Sequence, residues 1–176
     1  LRLGININDH FEYIDRNPIA SASISQVYIG RLINGQKVVI KLKRSKIDEV
    51  IKSDILIMKD LANIIESTYE SAKKMNLKQI IKSFDNNMKK ELSLTNELHN
   101  IEKFRRNFLG NPQVYVPITY TELSNDSVLT MEYIEGFKVN DKDKIQALGV
   151  DPKQVSQDII SLFLKQILED GFFHAD

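Results

Sequence analysis

The chain has 176 residues, 24 Lys plus Arg against 24 Asp plus Glu, and no cysteine. That length holds one ordinary domain with a sizeable core and leaves no room for a second full one. The balanced charge gives no overall attraction to nucleic acid, and the lack of cysteine excludes disulfides and thiolate metal sites, with a mild preference for an intracellular setting.

Residues 1–17, opening LRLGININDH, have no basic stretch followed by an apolar core, and no later run reaches bilayer-spanning length. Neither a signal peptide nor a membrane anchor is expected in this piece. Residues 1–17 are read as an irregular segment.

From Pro18 the chain reads PIASASISQVYIGRLINGQKVVIKL. Residues 26–32 alternate with β-branched and aromatic types, Asn34-Gly35 suits a two-residue turn, and residues 37–42 run back as an apolar strand. On that strand Val39 and Lys41 share one face while Val38, Ile40 and Leu42 take the other. A lysine in an apolar run calls for an anionic partner. Small residues at a strand entrance let backbone N–H groups approach an anion, and a lysine on the next strand supplies positive charge, so the pair reads as a nucleotide-phosphate clamp. The plainer alternative is a solvated edge lysine beside an ordinary turn. Their order and spacing together favour the clamp.

Residues 46–67 place Ile47, Val50, Ile51, Ile55, Met58, Leu61, Ala62 and Ile65 at three- and four-residue steps, which predicts an amphipathic helix. A second such pattern over 77–108 predicts one extended helix or two joined ones, ended by Gly110-Asn111-Pro112. Residues 114–123 and 128–134 then read as strands around a Ser124-Asn125-Asp126 turn, with Pro117 placing the first at an edge or at its own beginning. Asp151-Pro152 supplies an N-cap and a first-turn proline for a last helix that ends at Gly171. This order of hairpin, long helical segment, two strands, linker and helix predicts an α+β fold. It is the layout of a kinase-like small lobe over 18–134, hinge included, with 135–176 opening the helical large lobe and stopping at the catalytic loop.

A clamp lysine takes its carboxylate from a helix packed on the sheet. On one continuous helix Glu91 and Glu97 would lie about 60° to either side of Leu94, both bordering the apolar stripe, and Glu97 is the better candidate. His10 and His99 have no second ligand at zinc spacing.

These segments together resemble the UbiB/AarF family of atypical kinase-like proteins, which serve ubiquinone biosynthesis. The blocks that carry the resemblance are PIASASISQVY, VVIKLKR, KKELSLTNELHNIEKFRRNF, VYVPITYTELSNDSVLTMEYIEG and GFFHAD, spanning 18–176. The resemblance implies that Ala20, Ser21, Ala22 and Ser23 form an alanine-rich loop over the phosphates, with Lys41 the nucleotide lysine and Glu97 its ion-pair partner. It also implies that Met131 guards the adenine pocket, that the backbone of 132–134, Glu132 and Ile134 included, binds the base, and that Asp176 is the catalytic-loop aspartate. Alanine avoids the positive φ that glycine visits freely, so such a loop is stiffer than a glycine-rich one. Two departures stand out: Ser25 replaces a usual glycine, and Ser93 replaces the acid that usually follows Glu91 in the family's regulatory E-x-D motif.

The cofactors implied are ATP or ADP with magnesium. The partners implied are the nucleotide and, through the family, quinone-biosynthesis enzymes with a membrane lipid or quinone precursor, at a bacterial inner membrane or in mitochondria or plastids as a peripheral protein. Opening at Leu1 and closing on GFFHAD, the chain reads as a fragment of an ATP-dependent phosphotransferase or ATPase. Its remaining magnesium ligands would lie downstream, so the fragment alone is expected to be inactive and to hold no metal site. Two rivals share the fold: a non-catalytic lipid-binding or scaffold protein, toward which Ser25 and Ser93 lean, and a phosphotransferase acting on small alcohols.

Overall fold

The structure is a computed structural model that describes residues 3–137, 141–149 and 151–173. The alternating segments pair as β3 (Ser25–Leu32) and β4 (Lys37–Lys43), antiparallel, with Val27 opposite Lys41 and Ile29 opposite Val39. Asn34-Gly35 reverses the chain, but not as a two-residue turn. The Gly35 N–H donates to the Leu32 carbonyl, the Leu32 N–H to the Gln36 carbonyl, and within the loop only Gly35 takes a positive φ, +87°. This is the three-residue hairpin, a turn closed by a left-handed glycine.

Three further strands complete a five-stranded sheet: β1 (Phe11–Ile14) and β2 (Ala20–Ser21) pair with β3, and β5 (Val128–Glu132) pairs with β4. The first of these corrects the expectation that 1–17 is irregular. Four residues are too few for a period to declare itself, yet Phe11 is buried opposite Leu32 and Ile14 lies opposite Gly30. A Cβ on Gly30 would stand 3.0 Å from Ile40 Cδ1 and 3.2 Å from the Tyr13 carbonyl oxygen, so glycine is what admits β1 this closely.

The expected strand over 114–123 shrinks to one bridge, Thr119 with Met131, flanked by Tyr120 N–H to the Thr130 carbonyl and Glu132 N–H to the Ile118 carbonyl. Pro117 cannot donate to a ladder, and a 3-10 turn at Thr121–Leu123 ends the extended run. That turn delivers Leu123 to a core of Phe11, Leu32, Val38, Ile40 and Val128 on one sheet face. Each such side chain contributes about 1.5–3 kcal/mol by leaving water.

The helical periods form α1 (Ile47–Thr68), a short α2 (Glu70–Lys73), α3 (Leu77–Glu91) and α4 (Leu94–Asn107). The 77–108 segment is therefore two helices, interrupted where Leu92 and Ser93 turn back on the Met88 and Lys90 carbonyls. Ile55, Ala62 and Ile81 join α1 to α3 in a second small core, with Lys59 and Asp85 paired at 3.1 Å beside it.

By contacts the chain falls into two units, one holding the residues up to Asn100 with Ile118–Tyr133, the other Ile101–Pro117 with the residues from Ile134 on. The second contains α5 (Lys142–Ala147) and α6 (Pro152–Leu168), the latter capped by Asp151, whose carboxylate accepts from Lys153 N–H at 2.9 Å. Within it Lys165 Nζ reaches Asp170 at 2.7 Å and lies over the ring of the buried Phe108.

Candidate functional site

The sheet face opposite the core carries the chemistry. Pairing puts Val27, Lys41 and Leu129 in one row and Ile29, Val39 and Met131 in the next, because directly opposed residues of an antiparallel sheet share a face. Lys41 is thus a cation in an apolar field. Its Nζ donates to both carboxylate oxygens of Glu97, at 2.9 Å to Oε1 and 2.7 Å to Oε2. The side chains keep 23% and 35% of their surface exposed, so the pair is sheltered while the ammonium stays within reach of an incoming anion.

Glu91, the other acid considered, does not share this position. It is the last residue of α3 and exposed. The expectation that it flanks Leu94 assumed one continuous helix, and the break at Leu92-Ser93 removes the phase relation between the two.

Ala20 and Ser21 form β2, and the hairpin to β3 closes through Ala22 N–H donating to the Ser25 carbonyl at 2.9 Å, with Ser23 and Ile24 at its tip. Ala20, Ser21, Ala22 and Ser23 are all exposed, and none takes a positive φ, so the path of the loop asks for no glycine. Arg44 straps it from β4's end: Nε donates to the Ala22 carbonyl at 3.0 Å and Nη2 to Ser21 Oγ at 2.7 Å. Ser25, 1% exposed, buries an Oγ with no hydrogen-bond partner.

Met131 and Glu132 end β5, both half-buried, and Ile134 is exposed. The N–H of Glu132 is already engaged by Ile118 and that of Tyr133 by the Lys37 carbonyl at 3.1 Å. Of the three amides expected to meet a base, only Ile134's has no such bond among the described residues. Asp176 lies outside the described residues. Among the described residues, no group of three or more His, Cys, Asp or Glu is placed to hold a metal ion, and no helix is long and apolar enough to cross a membrane.

Sequence reasoning treated Lys41 as the one chemically informative lysine of its strand and missed Lys43, which shares its face. Lys43 keeps only 3% of its side chain exposed, with Nζ 2.8 Å from Asp126 Oδ2 and 3.2 Å from Asp48 Oδ1. Asp126 Oδ1 in turn accepts from Ser93 Oγ at 2.6 Å. The Lys43 ammonium, and after it the Ser93 hydroxyl, hold the Asp126 carboxyl below its ordinary range. The signal was present in period two: residues 41 and 43 of one strand must face the same way.

The ABC1 atypical kinase-like domain matches residues 2–176. Similar curated proteins include an uncharacterized protein, slr1919, of Synechocystis, 36% identical over 99% of this chain and 31% of its own length. Two others named probable protein kinase UbiB come from Marinobacter nauticus, 33% identical over 99% of this chain and 32% of that protein, and Pseudomonas aeruginosa, 35% identical over 99% and 33%. The chain thus spans about a third of the length of the curated relatives it matches. Among solved structures, Rv3197 of Mycobacterium tuberculosis, determined in complex with erythromycin, superposes with a TM-score of 0.73 at 22% identity, covering 96% of this chain and 40% of that one. That likeness speaks to the fold, and it agrees with an α+β kinase-like small lobe. From the domain match across almost every residue and the homologues at about 35% identity, the chain belongs to the ABC1 atypical kinase-like family, among relatives of the UbiB type.

Proposed function

We propose that this chain grips the phosphates of ATP or ADP for a UbiB-type phosphotransferase or ATPase that supports isoprenoid quinone synthesis. The observation that carries the reading is the bidentate Lys41–Glu97 pair on an apolar strand face, since a lysine so held keeps a fixed position for an anion. Glu97 orients the ammonium, Lys41 offers it to the phosphate oxygens, and the loop of Ala20, Ser21, Ala22 and Ser23, whose Ala22 N–H is kept by the Ser25 carbonyl, covers the same anion. Met131, on the same face two strand residues beyond Leu129, suits the wall of a base pocket, and the Ile134 amide is the hinge donor left for the base. Magnesium bound with the nucleotide would neutralise phosphate charge. Asp176, by family resemblance, would orient the attacking group. Peripheral association with a membrane holding a quinone or lipid precursor belongs to the same proposal.

The test is nucleotide titration of the full-length protein and its Glu97→Ala variant. The expected outcome is a loss of ATP and ADP affinity of tenfold or more, about 1.4 kcal/mol or above. Unchanged affinity would remove Glu97 from the site. A wild-type protein that binds no nucleotide would favour the scaffold reading.

A further inference from the structure

The first turn of α4 is tied down at its very start. Ser93 Oγ accepts from the Asn96 N–H at 3.2 Å, the bond of an N-cap, while the same hydroxyl donates to Asp126 Oδ1 at 2.6 Å. The Leu94 N–H adds a long bond to the Asp126 carbonyl, 3.4 Å. Asp126 sits in the turn before β5, and its second carboxylate oxygen lies 2.8 Å from Lys43 Nζ. Strand β4 is therefore joined to the start of α4 through a chain of side chains, Lys43 to Asp126 to Ser93.

Two spacings then coincide. Lys41 and Lys43, two residues apart on one strand face, are separated by about 7 Å. Ser93 and Glu97, four residues apart at the start of α4, are separated along the helix by about 6 Å. One end of that span is pinned through Lys43 and the other meets Lys41. A helix that slipped by one residue would carry its carboxylate about 1.5 Å along and 100° around its axis, away from Lys41.

We propose that Ser93, Asp126 and Lys43 form a positioning clamp that sets the register of α4 and so presents Glu97 to Lys41. The clamp rests on the phosphate-gripping reading for its purpose, although the link itself is a matter of geometry. Ser93 is here the cap of the helix that bears the carboxylate, so the departure from the family's usual acid leaves the ion pair formed.

Both links can be tested in the full-length protein with two readouts. The first is the rate at which a small acetylating reagent modifies Lys41 without nucleotide, followed by mass spectrometry. An ammonium held by a carboxylate reacts slowly. Ser93→Ala and Asp126→Asn are expected to raise that rate about threefold or more, Ser93→Thr to leave it near wild type, and Ser93→Ala to add nothing once Glu97→Gln is present. The second is ATP affinity, expected to fall about fivefold in Ser93→Ala and to show the same non-additivity. A Lys41 rate unmoved by both Ser93→Ala and Asp126→Asn overturns the clamp, as does an equal increase with and without Glu97. If the labelling follows the expected pattern but the wild type binds no ATP, the clamp stands and the nucleotide reading fails. Should Ser93→Ala not fold, as judged by circular dichroism, Asp126→Asn decides alone, since it changes no volume at a side chain that is 60% exposed.

Discussion

Lys41 and Lys43 lie two residues apart on one face of one strand, and the molecule treats them in opposite ways. Lys43 is enclosed, 3% exposed, and its two carboxylates, Asp48 and Asp126, are themselves 60% exposed. Lys41 is 23% exposed, and the Glu97 carboxylate grips it with both oxygens. An ammonium enclosed to 3% and bonded to carboxylates serves the fold, because it offers little surface to a ligand. A partly open one, fixed from one side, can still accept a ligand from the other. The contrast separates a cation that holds elements together from one held in place by them.

The largest effect that should follow is on stability. Lys43→Met removes a buried cation bonded to two carboxylates, and those carboxylates can take up water once released, so about 2–4 kcal/mol is expected in urea unfolding. A loss below about 0.5 kcal/mol would mean that Lys43 is no more structural than a surface lysine. Asp126→Ala should cost less, about 1–2 kcal/mol, since Asp48 stays beside the ammonium while the link to the α4 cap is lost.

The same contact has a pH signature. Asp126 is held below its ordinary value of 3.8 chiefly by the Lys43 hydrogen bond. A carboxyl lowered in the folded state contributes stability fully above its unfolded value and loses it as the pH falls through the lowered one. The wild type should therefore exceed Asp126→Asn in stability at neutral pH, and the gap should close in acid. A gap that persisted unchanged to the bottom of the acid range would remove the ion pair as its cause.

The smallest effect is expected at the loop. Ala22→Gly frees a hairpin that needs no positive φ, costing about 0.5 kcal/mol and shifting the preference between ATP and ADP. An unaltered preference would count against a stiff phosphate loop.

What the sequence revealed follows the same division. The two-residue period of a strand assigned Lys41 its face within an apolar run, and three- and four-residue periods placed α1 and the capped α6 close to their observed ends. The sequence already favoured Glu97, although helical phase set both acids alike about Leu94; what parts them in the structure is the interruption at Leu92-Ser93, which carries no proline or glycine to announce it. Lys43 was hidden because KLKR at a strand end looks like a solvated basic terminus, and Asp126 because Ser-Asn-Asp looks like a turn and nothing more. Their pairing joins residues 83 apart in the chain, a distance at which periodicity is silent. Strand β1 was missed for the related reason that its support comes from Gly30 on another strand and not from its own four residues.

The most direct measurement is ATP titration of the full-length Lys41→Met variant alongside its thermal unfolding. A cation kept for a ligand should lose tenfold or more in affinity while the midpoint moves by no more than about 4 °C. Wild-type affinity in that variant, or a midpoint that falls as far as that of Lys43→Met, would contradict the division between the two lysines.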